Sequence, residues 1–509
     1  GFGFVRLSIL DLSSDGDQPM QDTSHNYTIV FNGEIYNYIE LREELSQKGY
    51  NFITKTDTEV LLNGFIEWGP DVLDKCNGMF AFAVHNKMTG EIFCARDRYG
   101  VKPFYYYYDD EKFIFCSEII PIIKTFPQLK KVNYESIYNY FVFNRTDYNE
   151  DTFFQNIKRL PHGYYLIVNH SINIHKWYDL KEKSKTYFGG SNLKDLLVSS
   201  IGLRLRSDVP VGLCLSGGLD SSTIASILLN NYGLTKLQTF SAVYNKSYEF
   251  DESEYINEYR PFLKNMNFIT PDADSLFEDK EKFILAQGEP VPSTSPYAQY
   301  KVMQIAKGKV KVTLDGQGAD EQLPGYHYFY GNYFKELFRS FRLLKLMNEM
   351  QLNFKIHKSS HSLQTFLYFL LPERMRTGLR ANRYGYLKKD FNELYVKNNF
   401  ISSRLYSSGS LNEALLNHFN YKLEHLLKWE DRNSMNFSIE ARLPFLDYRV
   451  VEYILSLPSD SKIYKGQTKY ILREQMKGLL PEKIRQRHSK IGFDTPEDKW
   501  FKSKSFVEF

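Results

Sequence analysis

Seven consecutive residues limit what this chain can fold into: Ser216-Gly217-Gly218-Leu219-Asp220-Ser221-Ser222. An apolar run over residues 209–215 precedes them, and a helix-prone stretch, 222–230, follows. Paired glycines between a strand and a helix let the backbone turn tightly and aim several N–H groups at one anion. The helix N-terminus behind them adds its positive dipole end. Ser216, Ser221 and Ser222 can donate hydroxyls to phosphate oxygens. Asp220 belongs beside an anion only if a divalent cation lies between them, and Mg²⁺ held by a carboxylate and phosphates meets that need. The loop is not a Walker A sequence, which requires a Lys. Nor is it a nucleophile elbow, because Cys214 stands where G-x-S-x-G needs glycine.

A second turn has the same character. The apolar run 310–314 ends in Asp315-Gly316-Gln317-Gly318-Ala319-Asp320-Glu321. Two glycines and three carboxylates gather there, and Asp320 is a candidate to join Asp220 on a metal ion. Each loop alone could be a polar turn. Together, at the ends of two strands, they predict a nucleotide site.

The chain divides into two patterns. Residues 1–180 read as short β-rich runs with few helices, which predicts an α+β domain of layered antiparallel sheets. Residues 181–192 are charged, then small and polar, and read as a linker. Over 193–509, helix candidates (192–204, 222–230, 253–264) alternate with apolar strands (209–215, 237–243, 310–314). That alternation predicts an α/β domain around a parallel sheet, with ligands at the carboxyl ends of its strands.

Composition excludes several classes. Lys plus Arg number 64 against 61 Asp plus Glu, a net charge of +3, without the basic excess of a nucleic-acid binder. The longest apolar run, 366–371, is far short of the roughly 20 residues a membrane span requires. The four cysteines (Cys76, Cys94, Cys116, Cys214) form no C-x-x-C pair. A structural zinc site is therefore not expected, and scattered thiols suit a reducing, cytoplasmic setting.

The glycine loop resembles the pyrophosphate loop of the N-type ATP pyrophosphatases. Other motifs narrow the resemblance to the glutamine-dependent asparagine synthetase family. They are Arg6-Leu7-Ser8-Ile9, Asn32-Gly33-Glu34-Ile35-Tyr36-Asn37, Thr56-Asp57-Thr58-Glu59, and Arg96-Asp97-Arg98-Tyr99-Gly100-Val101-Lys102-Pro103. Late in the chain come Glu430-Asp431-Arg432-Asn433-Ser434-Met435 and Glu440-Ala441-Arg442-Leu443-Pro444-Phe445-Leu446-Asp447. The match runs in order along nearly the whole chain. It implies an N-terminal-nucleophile glutaminase-like first domain and an adenine-nucleotide α-hydrolase-like second domain.

The resemblance also implies roles. Arg6 would hold the α-carboxylate of glutamine, and Glu34 and Asp57 its α-ammonium. Asn32 and the Gly33 N–H would form the oxyanion hole. Asp57 could equally cap a helix, and Asn32-Gly33 is also a common hairpin turn. ATP would lie against Cys214, Leu215 and Ser216, against Gly217, Gly218, Ser221 and Ser222, and against Ala242, Asp315 and Gly316. Asp220 and Asp320 would hold Mg²⁺. Lys490 would neutralise charge on the α-phosphate. The partners would be small molecules (ATP, aspartate, glutamine or ammonia), with a homodimer left open.

Two positions depart from the family pattern. The family's glutaminase uses an N-terminal cysteine, whereas this chain opens on Gly1. The expectation is a fragment lacking its first few dozen residues and the glutaminase activity that depends on them. The second departure is Gln317, where many members carry Glu. Glutamine cannot ionise and so cannot act as a base. The leading expectation is amidation of aspartate through a β-aspartyl-adenylate. The alternatives are amidation of a different carboxylate, as in surface-glycan assembly, or a decayed ATP-binding homologue. A β-lactam synthetase would have no use for the glutamine pocket.

Overall fold

The computed structural model describes residues 1–187, 189–190, 192–244, 251–381, 387–396, 399–488 and 495–508. Its first part is built from nine strands: β1 (Met20–Gln21), β2 (Tyr27–Ile35), β3 (Gly78–Asn86), β4 (Ile92–Arg96), β5 (Tyr105–Tyr108), β6 (Phe113–Cys116), β7 (Lys158–Arg159), β8 (Tyr164–Val168) and β9 (Ile172–Lys176). They form two antiparallel sheets, ordered β1-β2-β3-β4-β8-β9 and β6-β5-β7. Side chains alternate across β2, so Ile29, Phe31 and Ile35 face one way and Val30 the other. The first set packs on helices α1 (Tyr38–Gln47) and α2 (Asp57–Trp68). Val30 packs with Phe104 and Tyr106 from the second sheet. This is the layered α+β arrangement expected from the sequence.

The second part holds a parallel sheet of β10 (Val211–Cys214), β11 (Gln238–Ala242), β12 (Asn265–Ile269), β13 (Val312–Leu314) and β14 (Glu440–Arg442), ordered β12-β11-β10-β13-β14. Every pairing is parallel. From β10 the chain moves outward through β11 to β12, then returns to the other side of β10 as β13. The direction of winding therefore reverses between β10 and β13. In an open parallel sheet that reversal leaves a crevice beyond the strands' carboxyl ends.

Several boundaries differ from the sequence reading. The helix after the glycine loop, α5 (Leu219–Tyr232), starts three residues earlier than expected, with Gly218 as its N-cap. The stretch 253–264 yields only a short helix at Ser253–Ile256 and a 3-10 turn at Asn257–Tyr259. β14 was not expected as a strand, because Glu440-Ala441-Arg442 carries two charged residues. Burial of Glu440 against Arg442 makes it possible. Residues 180–185, charged like a linker, form helix α3 (Leu180–Lys185). Asp179 caps this helix, and it is anchored by buried Leu180. No helix among the described residues is long and apolar enough to cross a membrane.

Candidate active site

The reversal between β10 and β13 brings the two glycine-rich loops together. They touch: a Cβ added to Gly316 would meet the Asp220 Cβ at 3.1 Å and the Ser221 nitrogen at 3.2 Å. Gly217 has φ +78 and packs against Tyr255 and Ile256, so the turn is open only to glycine. Within the first loop, the Ser216 N–H donates to Ser221 Oγ at 3.2 Å, and the Gly218 N–H to Ser216 Oγ at 3.3 Å. No side chain caps the first turn of α5, so its N–H groups point out of the helix end as an anion cradle.

A cavity of about 470 Å³ opens over both loops. Of the residues expected at a nucleotide site, Cys214, Leu215, Ser216, Gly218, Asp220, Ser221, Ala242, Asp315, Gly316, Gln317 and Asp320 line it. Gly217 and Ser222 stand just behind the lining, and the Ser222 hydroxyl is fully buried. Lys490 lies outside the described residues.

Asp220 and Asp320 converge on a third residue that the sequence reading missed. Lys469 Nζ is 2.6 Å from Asp220 Oδ1 and 2.6 Å from Asp320 Oδ1. Lys469 precedes helix α10 (Tyr470–Gln475; α9 is Tyr448–Ser456) in a left-handed conformation and is buried. Burial lowers its proton affinity, and Asp220 partly restores it. Two carboxylates that converge on one ammonium are hard oxygen donors of the kind Mg²⁺ takes, so the donor set fits that ion. Arg473 and Arg487 line the same wall, and Arg487 reaches the Gly217 carbonyl at 3.4 Å. Lys469 and Arg473 stand four residues apart, about one helical turn, but that spacing alone does not mark them as site residues.

The opposite wall is helix α8 (Leu423–Met435). Leu426, Trp429 and Glu430 face the cavity. Glu424, Lys428 and Asp431, on another stripe of the helix, face the first domain. Glu424 pairs with Arg96 at 2.5 Å and Arg159 at 2.6 Å. Lys428 pairs with Asp147 at 2.6 Å, and Asp431 with Lys102 at 2.8 Å.

In the first domain, Asn32 and Glu34 share the Val30 face of β2. Gly33 sits in mid-strand opposite Phe80, not in a hairpin turn. Its φ is +148, and a Cβ there would lie 2.1 Å from the Met79 carbonyl oxygen. Asp57 Oδ2 accepts the Ile35 N–H at 2.8 Å, while Thr56 caps α2. Burial lifts the Asp57 carboxyl to about 7. Glu34 Oε2 lies 3.3 Å from Arg442 of β14, and its Oε1 accepts no hydrogen bond among the described residues. Arg6 sits close to Gly16 and Thr56. Its guanidinium donates to the Leu10, Asp11 and Ser13 carbonyls and to Asp17.

Residues 192–509 match the asparagine synthase model and residues 1–178 the glutamine amidotransferase domain model. The chain is 31% identical to asparagine synthetase [glutamine-hydrolyzing] 1 of Bacillus subtilis, covering 99% of this chain and 81% of the relative. It is 35% identical to a putative asparagine synthetase [glutamine-hydrolyzing] 2 of Methanocaldococcus jannaschii, covering 74% of this chain and 76% of that one.

Proposed function

We propose, on the premise that this chain belongs to the asparagine synthase family, that it amidates the side-chain carboxylate of aspartate at the cost of ATP. The carboxylate attacks the α-phosphorus, pyrophosphate leaves, and a β-aspartyl-adenylate remains. Ammonia, drawn from glutamine in the first domain, then displaces AMP to give asparagine. The observation that carries this reading is the junction at the winding reversal, where Asp220, Asp320 and Lys469 meet between two anion-cradling loops.

Each residue has a task that follows from its chemistry. The Gly218 turn and the N-terminus of α5 bind the departing pyrophosphate, with Ser216 and Ser221 as hydroxyl donors. Lys469, Arg473 and Arg487 balance the triphosphate charge. Cys214, Leu215 and Ala242, with Phe240, offer the apolar edge an adenine ring needs. Asp220 and Asp320 would hold Mg²⁺, which neutralises phosphate charge when bound. Lys490 takes the α-phosphate role. In the first domain, Arg6 fixes the glutamine carboxylate. Glu34 and Asp57 take its ammonium, a role suited to the open Oε1 of Glu34, and Asn32 with the Gly33 N–H receives the oxyanion.

The test is direct. Protein given Mg-ATP, L-aspartate and ammonium chloride is expected to release pyrophosphate, AMP and asparagine in equal amounts. ATP binding without pyrophosphate release would count against the reading. A second reading, a larger carboxylate acceptor, draws on the aromatic lining of Tyr244, Tyr326 and Trp429 beside Gln317. The mass of the product formed from a panel of carboxylates separates the two.

A further inference from the structure

Two buried carboxyls face one another in the cavity wall. Asp315 follows β13, Glu430 projects from α8, and they are 5% and 3% exposed. Both line the cavity, and each lies near enough to the other to shift its proton affinity. Two ionised carboxylates so near, away from water, repel strongly, so the pair holds one proton between them. Burial raises both groups, Asp315 to about 7 and Glu430 well above its ordinary range.

The surroundings keep the pair in place without neutralising it. The Thr313 hydroxyl donates to Asp315 Oδ2 at 3.1 Å, and the Cys214 thiol of β10 touches the same carboxyl. The Gln299 amide of α6 (Ser295–Ala306) donates to Glu430 Oε2. Gln299 is itself fixed by Asn433, whose Nδ2 donates to its Oε1 at 3.0 Å. Asn433 Oδ1 in turn accepts from Gln287 at 2.7 Å. The neighbouring acid on α8, Asp431, is turned to Lys102. Asp220, Asp320, Lys469, Arg473, Arg487 and His488 line the same cavity. Neither Asp315 nor Glu430 is ion-paired among the described residues. Glu430 Oε1 receives no N–H or O–H from any of them.

We propose that the Asp315–Glu430 pair is the base that removes the proton from ammonia as it attacks the acyl-adenylate, a task closed to Gln317. The inference rests on the ligase reading above. In the step, the nitrogen lone pair forms the C–N bond. The bond from the acyl carbon to the phosphate oxygen breaks, and its electrons leave with AMP. The surplus proton on nitrogen passes to the pair, which goes from one proton to two and returns one to water after product release.

Two measurements on the full chain test this. The infrared difference spectrum between acid and alkaline pH should show a protonated-carboxyl C=O band. That band should disappear in both Asp315→Asn and Glu430→Gln, and its absence from the unaltered protein overturns the pair. In kinetics with Mg-ATP and L-aspartate, Glu430→Gln should keep aspartate-dependent ATP–pyrophosphate exchange within about threefold. Amide formation at a fixed concentration of free ammonia should fall by about a hundredfold. Its rise with pH should be lost, and hydroxylamine, which needs less help from a base, should restore part of the rate. Equal loss of exchange and of both nucleophiles would mark the residue as merely structural and overturn the proposal. If the unaltered protein shows no exchange with aspartate, the aspartate reading fails alone, and the infrared band decides the pair.

Discussion

Lys469 fills the point where the Asp220 and Asp320 carboxylates converge, and its ammonium is what makes two acids tolerable there. Removing it leaves like charges facing each other in a half-buried wall, which costs stability unless another cation enters. Lys469→Ala is therefore expected to bind Mn²⁺ in the absence of ATP more tightly than the unaltered protein, by at least about tenfold, because hard carboxylate oxygens are the ligands such an ion takes. The same variant should lose pyrophosphate release, since a countercharge to the triphosphate is gone. Electron paramagnetic resonance titration of free Mn²⁺ checks the first expectation. Unchanged Mn²⁺ affinity would mean that the carboxylates are not open to a metal. This lysine was hidden from a sequence reading because a lone Lys is usually a solvated surface group. Only the fold carries it some 150 residues back along the chain to Asp320.

At the scale of elements, β2 shows why some positions were legible and others not. Its β-branched and aromatic run through Phe31 announces a strand, and once the strand continues to Ile35, Asn32 and Glu34 fall on one face by the period of two. The Asn32-Gly33 pair also reads as a hairpin turn, and only pairing with β3 over the whole of Tyr27–Ile35 decides against it. Gly33 is needed for the strand itself. With a Cβ 2.1 Å from the Met79 carbonyl oxygen and φ +148, Gly33→Ala must push β2 and β3 apart in the middle of the sheet. A loss of at least about 2 kcal/mol is expected, from overpacking and backbone strain together. Urea denaturation, followed by aromatic fluorescence, measures it. The parallel sheet was readable where apolar, β-branched residues dominate a short stretch, as at β10 and β13. It was unreadable at β14, where a buried ion pair stands in for hydrophobicity.

Across the whole molecule, α8 is the member both halves share. One stripe carries Glu430 to the cavity over the two glycine-rich loops. Another carries Glu424, Lys428 and Asp431 into buried pairs with the first domain. Arg442 makes a second bridge, running from β14 beside the Asp315 strand to Glu34 on β2. Such pairs add little to stability when intact but are expensive to break, because the partner left behind is charged and dry. Glu424→Gln would leave Arg96 and Arg159 facing each other without their shared carboxylate. It is expected to destabilise the protein by about 3–5 kcal/mol and to lower glutamine-independent amidation as well, since the displaced helix carries the cavity wall. Burial by itself would raise the Glu424 carboxyl, yet Arg159 and Arg96 hold it down at about 2, against an ordinary value of 4.5. A depressed folded value means the contribution is whole above the ordinary value and fades as pH falls toward 2. Melting temperatures of the two proteins should thus lie far apart near neutral pH and draw together between about pH 4.5 and 2. A gap that stays constant across that interval would show that the carboxylate's charge is not what ties α8 to the first domain.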